Sequence, residues 1–396
     1  MQKQTIVALP GDGIGRVVLE ETIRVLDSAG FNAEYVEGDI GWEFWKKEGN
    51  PLPDRTIALV EKHRIGLFGA ITSKPKDAAA EELDPSLHGR GLVYSSPIVG
   101  LRQHFNLDIC IRPCHTYRGN PLNFIRRGAG GAIEEPEVDV VIFRQNTEGL
   151  YGGVEWTNPP EIVYQGLSTH PKFVKNFGHV PVEELSVSTR IFSRKATGRI
   201  LRAAFEHARK FGYRSVTVCE KPNVIRETSG MMYKMAQEIQ AAEFAGIELW
   251  NTNIDAQMMW LTKNPEDYGV IVAGNMFGDI VSDGFAGLIG GLGFACSANL
   301  GEEAALFEPT HGSAPKYAGY PVSIVNPIAM MESACMMLDH IGESAIAGRI
   351  RNAIAGVILE GKVRTYDMMK MAGRPDVIQK GAASTRQMAD AIIEKL

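Results

Sequence analysis

Short apolar runs alternate along this chain with longer stretches in which apolar and polar residues are mixed. The runs Gln4–Leu9, Ile65–Ala70 and Val270–Ala273 predict buried strands, because a strand covered on both faces is apolar throughout. The mixed stretches Asp54–His63 and Ser193–Lys210 predict helices. The alternation of strands and helices predicts an α/β fold with a largely parallel sheet covered by helices.

The same pattern continues through most of the chain. Further strands are predicted over Phe31–Tyr35, Ser215–Cys219 and Ile247–Ile254. Further helices are predicted from the Pro10–Gly15 turn to about Ala29, over Ser95–Arg102, and over Glu227–Ala242, Pro327–Ile341, Glu343–Leu359 and Gly381–Leu396. The glycines of the Pro10–Gly15 turn fit two interpretations, a backbone that approaches a ligand closely or a simple strand-to-helix turn.

Two segments depart from this alternation. The polar segment Thr72–Tyr94 predicts a mobile loop with at most one short helix, and long loops of this kind often serve as lids. The segment Glu148–Pro181 is rich in glycine, aromatic and β-branched residues, and it predicts strands that project from the body of the protein. Such a projection suits a contact between subunits.

The composition is that of a globular protein of 396 residues, with 44% hydrophobic and 22% charged residues. A net charge of −6 argues against a surface that coats nucleic acid, and the longest apolar runs are glycine-rich or too short to span a membrane. The N-terminus enters a predicted strand directly, without a secretory signal. Few cysteines, odd in number, indicate free thiols in a reducing compartment; they are Cys110, Cys114, Cys219, Cys296 and Cys335. We therefore expect a cytoplasmic protein that binds neither nucleic acid nor membrane.

An acidic pair follows the predicted strand Val270–Ala273. A helix is predicted to begin near Asp279, so Asp279 and Asp283 share one helical face. Two carboxylates beyond the end of a strand suit Mg²⁺ or Mn²⁺, which prefers oxygen ligands and keeps positions open for water and substrate. In the alternative interpretation, Asp279 caps the helix and Asp283 lies on its solvated face.

Several cationic residues stand at the ends of predicted elements. Arg102 lies in the helix that Ser95 begins, Arg112 lies in an apolar stretch, and Arg144 ends another apolar run. Three guanidinium groups suit a substrate with several carboxylates, although unrelated surface arginines would give the same pattern. Lys221 follows a predicted strand, where ligands bind in open α/β sheets, but a solvent-exposed lysine is an equally simple interpretation.

Six motifs, in order along the chain, carry a resemblance to a known family. They are PGDGIG from Pro10, LR at Leu101 with RP at Arg112, FRQNTEGLYGGVEW from Phe143, EKPN from Glu220, GDIVSDGFAGLIGG from Gly278 and EPTHGSAPKYAG from Glu308. With these motifs the sequence resembles the β-decarboxylating dehydrogenases, which include isocitrate, 3-isopropylmalate and homoisocitrate dehydrogenases. The resemblance extends over nearly the whole chain.

The resemblance implies an isocitrate/isopropylmalate dehydrogenase-like α/β fold with two domains. The large domain would be discontinuous, formed by residues 1–105 and 275–396, and the small dimerisation domain would comprise residues 106–274. A β clasp at about residues 150–185 would project from the small domain. The resemblance also implies a homodimer whose active sites are shared between subunits, and a cofactor site that is not of the Rossmann type.

The resemblance further assigns roles to residues that match the motifs. Substrate carboxylates would be held by Arg102, Arg112 and Arg144, and Asn223 would lie near the substrate and the nicotinamide. Tyr151 and Lys221, the latter from the partner subunit, would handle protons during oxidation and decarboxylation. The metal, Mg²⁺ or Mn²⁺, would be held by Asp279 with Asp283 nearby and with Asp255 from the partner subunit.

The cofactor is expected to be NADP in preference to NAD. NAD-using relatives typically carry an aspartate in the loop after the HGSAP motif, whereas this chain has Lys316 and Tyr317 there. A cation and a phenol can bind the 2′-phosphate that an aspartate would repel. The other expected cofactor residues in this region are His311, Gly312, Asn326, Tyr366 and Lys370.

The residues expected to contact the substituent at C3 of the substrate are mixed. Ser96 matches the serine that binds the additional carboxylate of isocitrate, whereas Ile98 with Val99 resembles the apolar pair that contacts an isopropyl group. We expect oxidative decarboxylation of isocitrate to 2-oxoglutarate, with 3-isopropylmalate or another 3-substituted malate as the alternative substrate. A catalytically silent regulatory or structural subunit is the alternative from a different class, but such a subunit has no chemical need for the retained arginines and aspartates.

Overall fold

A mixed sheet of ten strands forms the centre of the molecule in the computed structural model, which describes residues 3–396. The strands of the chain are β1 (Gln4–Gly11), β2 (Ala33–Glu37), β3 (Ile65–Ala70), β4 (Ile109–His115), β5 (Arg126–Arg127), β6 (Ile133–Glu134), β7 (Asp139–Gln145), β8 (Glu155–Thr157), β9 (Ser186–Ser188), β10 (Ser215–Glu220), β11 (Glu248–Asn253), β12 (Val270–Ala273), β13 (Cys296–Leu300) and β14 (Ala305–Pro309). In the large sheet their order is β11-β10-β12-β7-β4-β13-β14-β3-β1-β2. Two small antiparallel pairs, β5-β6 and β8-β9, lie outside it.

Helices cover both faces of this sheet. They are α1 (Gly15–Ser28), α2 (Trp42–Glu48), α3 (Asp54–His63), α4 (Lys76–Glu81), α5 (Pro97–His104), α6 (Glu161–Ser168), α7 (Pro171–Phe177), α8 (Arg194–Phe211), α9 (Thr228–Glu243), α10 (Ile254–Trp260), α11 (Asn275–Leu288), α12 (Pro315–Ala318), α13 (Ile328–His340), α14 (Ser344–Glu360) and α15 (Thr385–Ile393). The predicted helix Asp54–His63 and the predicted strands Ile65–Ala70 and Val270–Ala273 are observed with the same limits.

The outer strands of the sheet pair in parallel, as the strand–helix alternation predicted. The three central pairs, β7-β4, β4-β13 and β13-β14, are antiparallel. Strand β13 was not predicted, because Ser297 and Asn299 interrupt its apolar pattern on one face. These central strands carry the candidate site described below.

The strands fall into two groups along the sheet. Strands β1–β3, β13 and β14 form one end, and β4, β7 and β10–β12 form the other. Helices α13 and α14 pack together on the first group, while α8 and α9 pack together on the second. The proposed division into a discontinuous large domain and a small domain of residues 106–274 stays a prediction, because one continuous sheet joins both groups.

The segment Glu148–Pro181 corrects the prediction that it consists of strands. Within it lies one short strand, β8, which pairs with β9 beyond the end of the segment. Helices α6 and α7 lie between these two strands. Prolines explain the difference: Pro160 immediately precedes α6 and Pro171 is the first residue of α7, positions at which proline favours helix initiation. Ile162, Val163 and Val174 of this segment therefore lie on helices.

Backbone atoms of two other segments pack directly against the glycines of the Pro10–Gly15 turn. A side chain at Gly11 would lie 1.9 Å from the carbonyl oxygen of Ala70, and one at Gly13 would lie 2.1 Å from that of Ser313. Both glycines also have positive φ angles, 64° and 57°. Close packing against β3 and the loop that contains Ser313 therefore accounts for these glycines.

The segment Thr72–Tyr94 is packed against helix α2. It contains α4 and a 3₁₀ turn at Pro85–Leu87, so it has more regular structure than the single short helix expected. Trp42 and Trp45 of α2 form a hydrophobic cluster with Ala79 and Leu83 of the segment. The Tyr94 hydroxyl donates a 2.7 Å hydrogen bond to the Thr72 carbonyl oxygen, which ties the two ends of the segment together.

All five cysteines are buried and free, as their number and surroundings predicted. Among residues 3–396, no helix is both long enough and apolar enough to span a lipid bilayer.

Candidate active site

Two of the predicted substrate arginines lie side by side on one face of the central sheet, which we call the front face. Arg112 on β4 and Arg144 on β7 belong to antiparallel neighbours, in which Arg112 pairs with Ile142 and Cys110 pairs with Arg144. Residues directly opposite each other, and their neighbours two positions away, point to the same face. The sheet register therefore brings together two guanidinium groups that are distant in sequence.

Helix α11 brings a carboxylate to both arginines. Asp279 Oδ1 accepts a 3.1 Å hydrogen bond from Arg112 Nη1 and a short one from Arg144 Nη1. Asp283, one turn later, lies 3.4 Å from Arg112 Nη1. The arginine side chains are only 9% and 5% exposed, whereas that of Asp283 is 60% exposed. Asp279 therefore lies between the two buried guanidinium groups and the more exposed carboxylate of Asp283.

Helix α11 begins at Asn275, which corrects the predicted start near Asp279. Residues Asn275–Gly278 form its first turn.

Polar residues of α11 that sequence reasoning missed hold the two arginines. Asn275 Oδ1 accepts a 2.9 Å hydrogen bond from Arg144 Nε, and its amide group donates to the Glu148 carbonyl oxygen. Ser282 Oγ accepts a 2.8 Å hydrogen bond from Arg112 Nη1. Asn275, Asp279, Ser282 and Asp283 recur at spacings of three and four residues, and this helical periodicity was a readable signal.

The third arginine, Arg102, approaches the front face from helix α5. Its Nη2 donates a 2.8 Å hydrogen bond to Glu308 Oε1, which also accepts one from the Asn299 amide group. The Nε atoms of Arg102 and Arg112 are buried without a hydrogen-bond partner in the described part of the chain. Buried unpaired donors are costly, so these atoms fit an anionic ligand that would pair with them.

Burial and neighbouring charges shift the pKa values in this cluster. Burial raises the pKa of Asp283, with Arg112 opposing the shift and Asp279 adding to it. Burial, reinforced by Arg112, lowers the pKa of Arg144 to about 10. Arg144 therefore remains a cation at neutral pH.

The acidic residues offer a partial metal site. Asp279 and Asp283 both contact Arg112 Nη1 and provide only carboxylate oxygens, a donor type that fits Mg²⁺ or Mn²⁺. Within residues 3–396, no group of three or more histidine, cysteine or acidic side chains is arranged to hold a metal. Asp255, the third predicted ligand, instead forms an ion pair with Lys221 in the same chain. A metal held by Asp279 and Asp283 would take its remaining ligands from water, substrate or a second subunit.

The remaining predicted substrate and catalytic residues differ in exposure, and Tyr151 lies beside the cluster. Tyr151 is 45% exposed, and its ring centroid lies 5.9 Å from Arg144 Cζ. Ser96 precedes α5 and its side chain makes no capping hydrogen bond. Ile98 is 8% exposed and packs in a hydrophobic cluster with Leu101, whereas the next residue, Val99, is 43% exposed. Asn223 is exposed.

The predicted cofactor residues include Lys316 and Tyr317 of helix α12 and Tyr366 of a neighbouring loop. Tyr317 packs against Tyr366, with ring centroids 5.6 Å apart, and Lys316 Nζ lies 5.5 Å from the centroid of the Tyr317 ring. Lys370 is exposed and has a positive φ angle of 55°. Asn326 donates a 3.1 Å hydrogen bond to Asp367. Lys316 and Tyr317 of α12 therefore lie beside the loop that carries Tyr366 and, four residues later, Lys370.

The HGSAP loop contains unpaired polar atoms. His311 Nδ1 lies 3.1 Å from the Gly312 carbonyl oxygen, whereas His311 Nε2 and Thr310 Oγ1 are buried without a partner in residues 3–396. Burial lowers the pKa of His311, which favours the neutral imidazole. A side chain at Gly312 would meet only the Ile71 carbonyl oxygen, at 3.8 Å. Unpaired donors and acceptors beside an open glycine fit a polar ligand such as a nucleotide.

Comparison with known proteins identifies similar chains. A family model described as isocitrate/isopropylmalate dehydrogenase matches residues 5–392. Protein DlpA of Legionella pneumophila subsp. pneumophila is 39% identical over 391 residues, which are 98% of this chain and 58% of that protein. This chain therefore spans little more than half the length of DlpA.

Two further relatives are similar over almost their whole length. Homoisocitrate dehydrogenase of Methanocaldococcus jannaschii is 37% identical over 364 residues, which cover 90% of this chain and 91% of that one. The crystal structure of isocitrate dehydrogenase from Methylococcus capsulatus superposes with a TM-score of 0.81 and 34% identity, covering 99% of each chain. These two relatives are named for different substrates, homoisocitrate and isocitrate.

Proposed function

Because this chain belongs to the isocitrate/isopropylmalate dehydrogenase family, whose members are NAD(P)-dependent β-decarboxylating dehydrogenases of 3-substituted malates, we propose that it converts isocitrate to 2-oxoglutarate with NADP and Mg²⁺ or Mn²⁺. The family and the α/β fold predicted from the motifs are confirmed. The substrate, the preference for NADP, the metal and the residue roles belong to the proposal.

The observation that carries this proposal is the convergence of Arg112, Arg144 and Asp279 on the front face. Arg102 and Arg112 each have a buried Nε without a partner in residues 3–396, so the chain alone leaves cationic donors unsatisfied. A substrate with several carboxylates would pair with these donors. Asp279 and Asp283 would hold the metal beside the substrate, at the open edge of the same cluster.

The choice of isocitrate rests on Ser96. Its hydroxyl makes no capping hydrogen bond and is therefore available to donate to a third carboxylate. Ile98 packs into the hydrophobic cluster and is only 8% exposed, so it offers little apolar surface to a substrate. The carboxylate of a carboxymethyl group on C3 would thus find a hydroxyl donor beside this helix.

A 3-alkylmalate is the second candidate, and Val99 favours it. On helix α5, Val99 lies three residues from both Ser96 and Arg102, so it stands between them on the same side of the helix. Val99 is 43% exposed, and its methyl groups would contact an alkyl substituent such as isopropyl. The two candidates therefore differ in whether Ser96 or Val99 contacts the C3 group.

The chemistry would proceed by oxidation at C2 followed by loss of CO₂. When bound, NADP accepts the hydride from C2 and a divalent cation acts as a Lewis acid. Lys221 of the partner subunit would take the proton of the C2 hydroxyl as the carbonyl forms. Breaking the bond between C3 and the departing carboxylate would release CO₂ and leave the bonding electron pair on the enolate, to whose C3 Tyr151 would donate a proton. The arginines would hold the remaining carboxylates throughout.

The positions of Lys221 and Asp255 within one chain support their assignment to the active site of a second subunit. The two side chains form an ion pair with each other, and neither pairs with Asp279 in the described residues. A homodimer in which each subunit lends these two residues to the other's site would complete both the metal ligands and the proton path. The β8-β9 pair with α6 and α7 is the proposed clasp of that dimer.

The test of this proposal is a steady-state assay of purified protein with Mn²⁺, followed at the nicotinamide absorbance. We expect reduction of NADP with isocitrate at a kcat/KM at least about tenfold higher than with 3-isopropylmalate or homoisocitrate, since one well-placed polar contact contributes 1–3 kcal/mol. Higher kcat/KM with 3-isopropylmalate would identify the alkylmalate as the substrate. Absence of turnover with every 3-substituted malate would favour the silent subunit.

A further inference from the structure

A cavity of about 610 Å³ lies on the opposite side of the central strands from the arginine cluster. Side chains on a strand alternate between the faces, and β4 shows this directly: Arg112 points to the front face, whereas its neighbours Ile111 and Pro113 line the cavity. On β14, Glu308 faces Arg102 while Phe307 lines the cavity. The two sites are therefore back to back across a single layer of strands.

The cavity exists because the helices on this face leave a gap. Helix α8 packs on β12 and β7, towards one end of the sheet, and α13 packs on β14 and β13, towards the other. Strands β4 and β13 meet between them, and their back-face side chains form the floor of the cavity. Residues of α8 form one wall and residues of α13 and α14 form the other.

Most of the cavity surface is hydrocarbon, but its polar groups are unequally satisfied. On the α13–α14 side, buried Glu332 accepts hydrogen bonds from the Tyr117 hydroxyl and, at 3.2 Å, from Arg351 Nε. Arg351 also donates a 2.6 Å hydrogen bond to Asp339. The acids on this wall are therefore already paired, and this wall offers no free cation.

The α8 wall differs in charge. His207 packs against the rings of Phe143 and Tyr213, at 5.2 and 5.7 Å, and burial lowers its pKa to about 4, so it is neutral at pH 7. His115 is paired with Asp139. Lys210 forms no ion pair with any acidic side chain in the described part of the chain and leaves a positive charge at this end.

From this arrangement we propose that the cavity is a second ligand site, for an apolar carboxylic acid whose hydrocarbon body lies over β4 and β13 and whose carboxylate binds Lys210. The apolar floor matches the body, and the unpaired cation on α8 matches the acid. On the opposite wall Glu332 and Asp339 share one cation, Arg351, so this wall keeps a net negative charge and disfavours the carboxylate there. The volume falls within the range of about 300–1,000 Å³ that is usual for small-molecule sites.

The test uses 4-phenylbutyrate as the probe and titration calorimetry as the measurement. We expect saturable binding at one site per chain. Ala355→Phe fills the cavity from α14 and should weaken binding at least about tenfold, since the phenyl body loses its space. Ala345→Phe is the matched control, an exposed position on the same helix that does not line the cavity.

A second variant tests the head group without filling the cavity. Lys210→Gln should weaken 4-phenylbutyrate roughly tenfold, as expected for loss of a charge-assisted hydrogen bond, and should leave the uncharged 4-phenyl-1-butanol unchanged. Thermal melting checks the fold of each variant, and if Ala355→Phe does not fold, the Lys210→Gln comparison decides. No binding at millimolar probe, or equal binding by wild type, Ala355→Phe and Lys210→Gln, would overturn the proposal. These outcomes do not depend on the dehydrogenase reaction.

Discussion

Gly278 allows the helix that carries Asp279 to lie directly on Arg144. A side chain at this position would lie 2.7 Å from Arg144 Cβ and 2.8 Å from its Cγ. Real Cβ atoms do not approach other carbons so closely, so either the helix or the arginine would have to move. The absence of a side chain at Gly278 therefore sets the distance between α11 and β7, and with it the contact of Asp279 with both arginines.

We predict that Gly278→Ala lowers kcat/KM about 100-fold, because displacement of a positioned group by about 1 Å has an effect of that size. Gly287→Ala, on the same helix, is the control, since a side chain there would meet nothing within 4 Å. Activity of the Gly287→Ala variant should equal that of the wild type. Equal activity of both variants would show that the spacing of α11 and β7 does not matter for turnover.

The preference for NADP is tested by the double substitution Lys316→Asp with Tyr317→Ile. Hydrogen bonds to charged groups contribute about 1.5–3 kcal/mol, so loss of the proposed 2′-phosphate contacts should lower the NADP-to-NAD ratio of kcat/KM roughly 10- to 100-fold. The measurement is the pair of kcat/KM values at saturating isocitrate. An unchanged ratio would mean that other residues recognise the phosphate, with Tyr366 and Lys370 the nearest candidates.

At the residue scale, the sequence predicted the charged groups of the site but not the neutral residues that hold them. Arg112, Arg144 and Asp279 could be selected because their chemistry and the motifs around them are distinctive. The spacing of Asn275 and Ser282 places them on the helical face of Asp279, but a neutral polar side chain there is equally compatible with solvent exposure, so the spacing alone did not assign them a role. Their role depends on the register of β4 and β7, which brings the arginines under α11 and is not encoded in any local pattern.

At the scale of elements, the segment Thr72–Tyr94 links the proposed cofactor loop to the helix that follows Ser96. The Thr72 hydroxyl lies 2.7 Å from that of Ser313 in the proposed cofactor loop, and the segment ends where the helix with Ser96 begins. Trp45, which is 1% exposed, fixes the segment to α2, and its indole nitrogen donates a 2.8 Å hydrogen bond to the Ala79 carbonyl oxygen. The segment is therefore held by one aromatic cluster.

We predict that Trp45→Ala releases this segment. Removal of a buried tryptophan side chain costs about 3–5 kcal/mol, so tryptic cleavage after Lys76 and Arg90 should become at least about tenfold faster. Phe44→Ala, on the same helix, is the control, because the Phe44 ring lies outside the cluster, near Arg55. Cleavage sites and rates are read by mass spectrometry. Similar rates for wild type and Trp45→Ala would contradict a structural role for the cluster.

The strands and helices also differ in how well their local sequence patterns predicted them. The outer strands and most helices were predicted, because continuous apolar runs and helical periodicity are local signals. Strand β13 escaped because its front-face residues serve the polar site, and α6 and α7 were interpreted as strands because β-branched residues outweighed the prolines that precede or begin them. Polar residues on a strand of the site, and the opposing preferences of β-branched residues and prolines, therefore explain these wrong predictions.

At the scale of the whole molecule, one chain holds two separate charged groups. Arg112, Arg144 and Asp279 lie together on the front face, whereas Lys221 and Asp255 pair with each other at the ends of β10 and β11. The proposed reaction requires both groups in one site. A homodimer with reciprocal exchange of Lys221 and Asp255 satisfies this requirement, and such symmetric sharing follows from a two-fold interface.

Complementation between two inactive variants tests whether each active site combines residues from two subunits. Lys221→Ala and Asp279→Asn should each abolish turnover as homodimers. When they are co-expressed in equal amounts, half of the dimers are mixed, and each mixed dimer has one site with both substitutions and one site with neither. We therefore expect recovery of about a quarter of wild-type activity. No recovery in a preparation shown by differential tags to contain mixed dimers would mean that Lys221 and Asp279 act in the same chain, and would contradict the shared site.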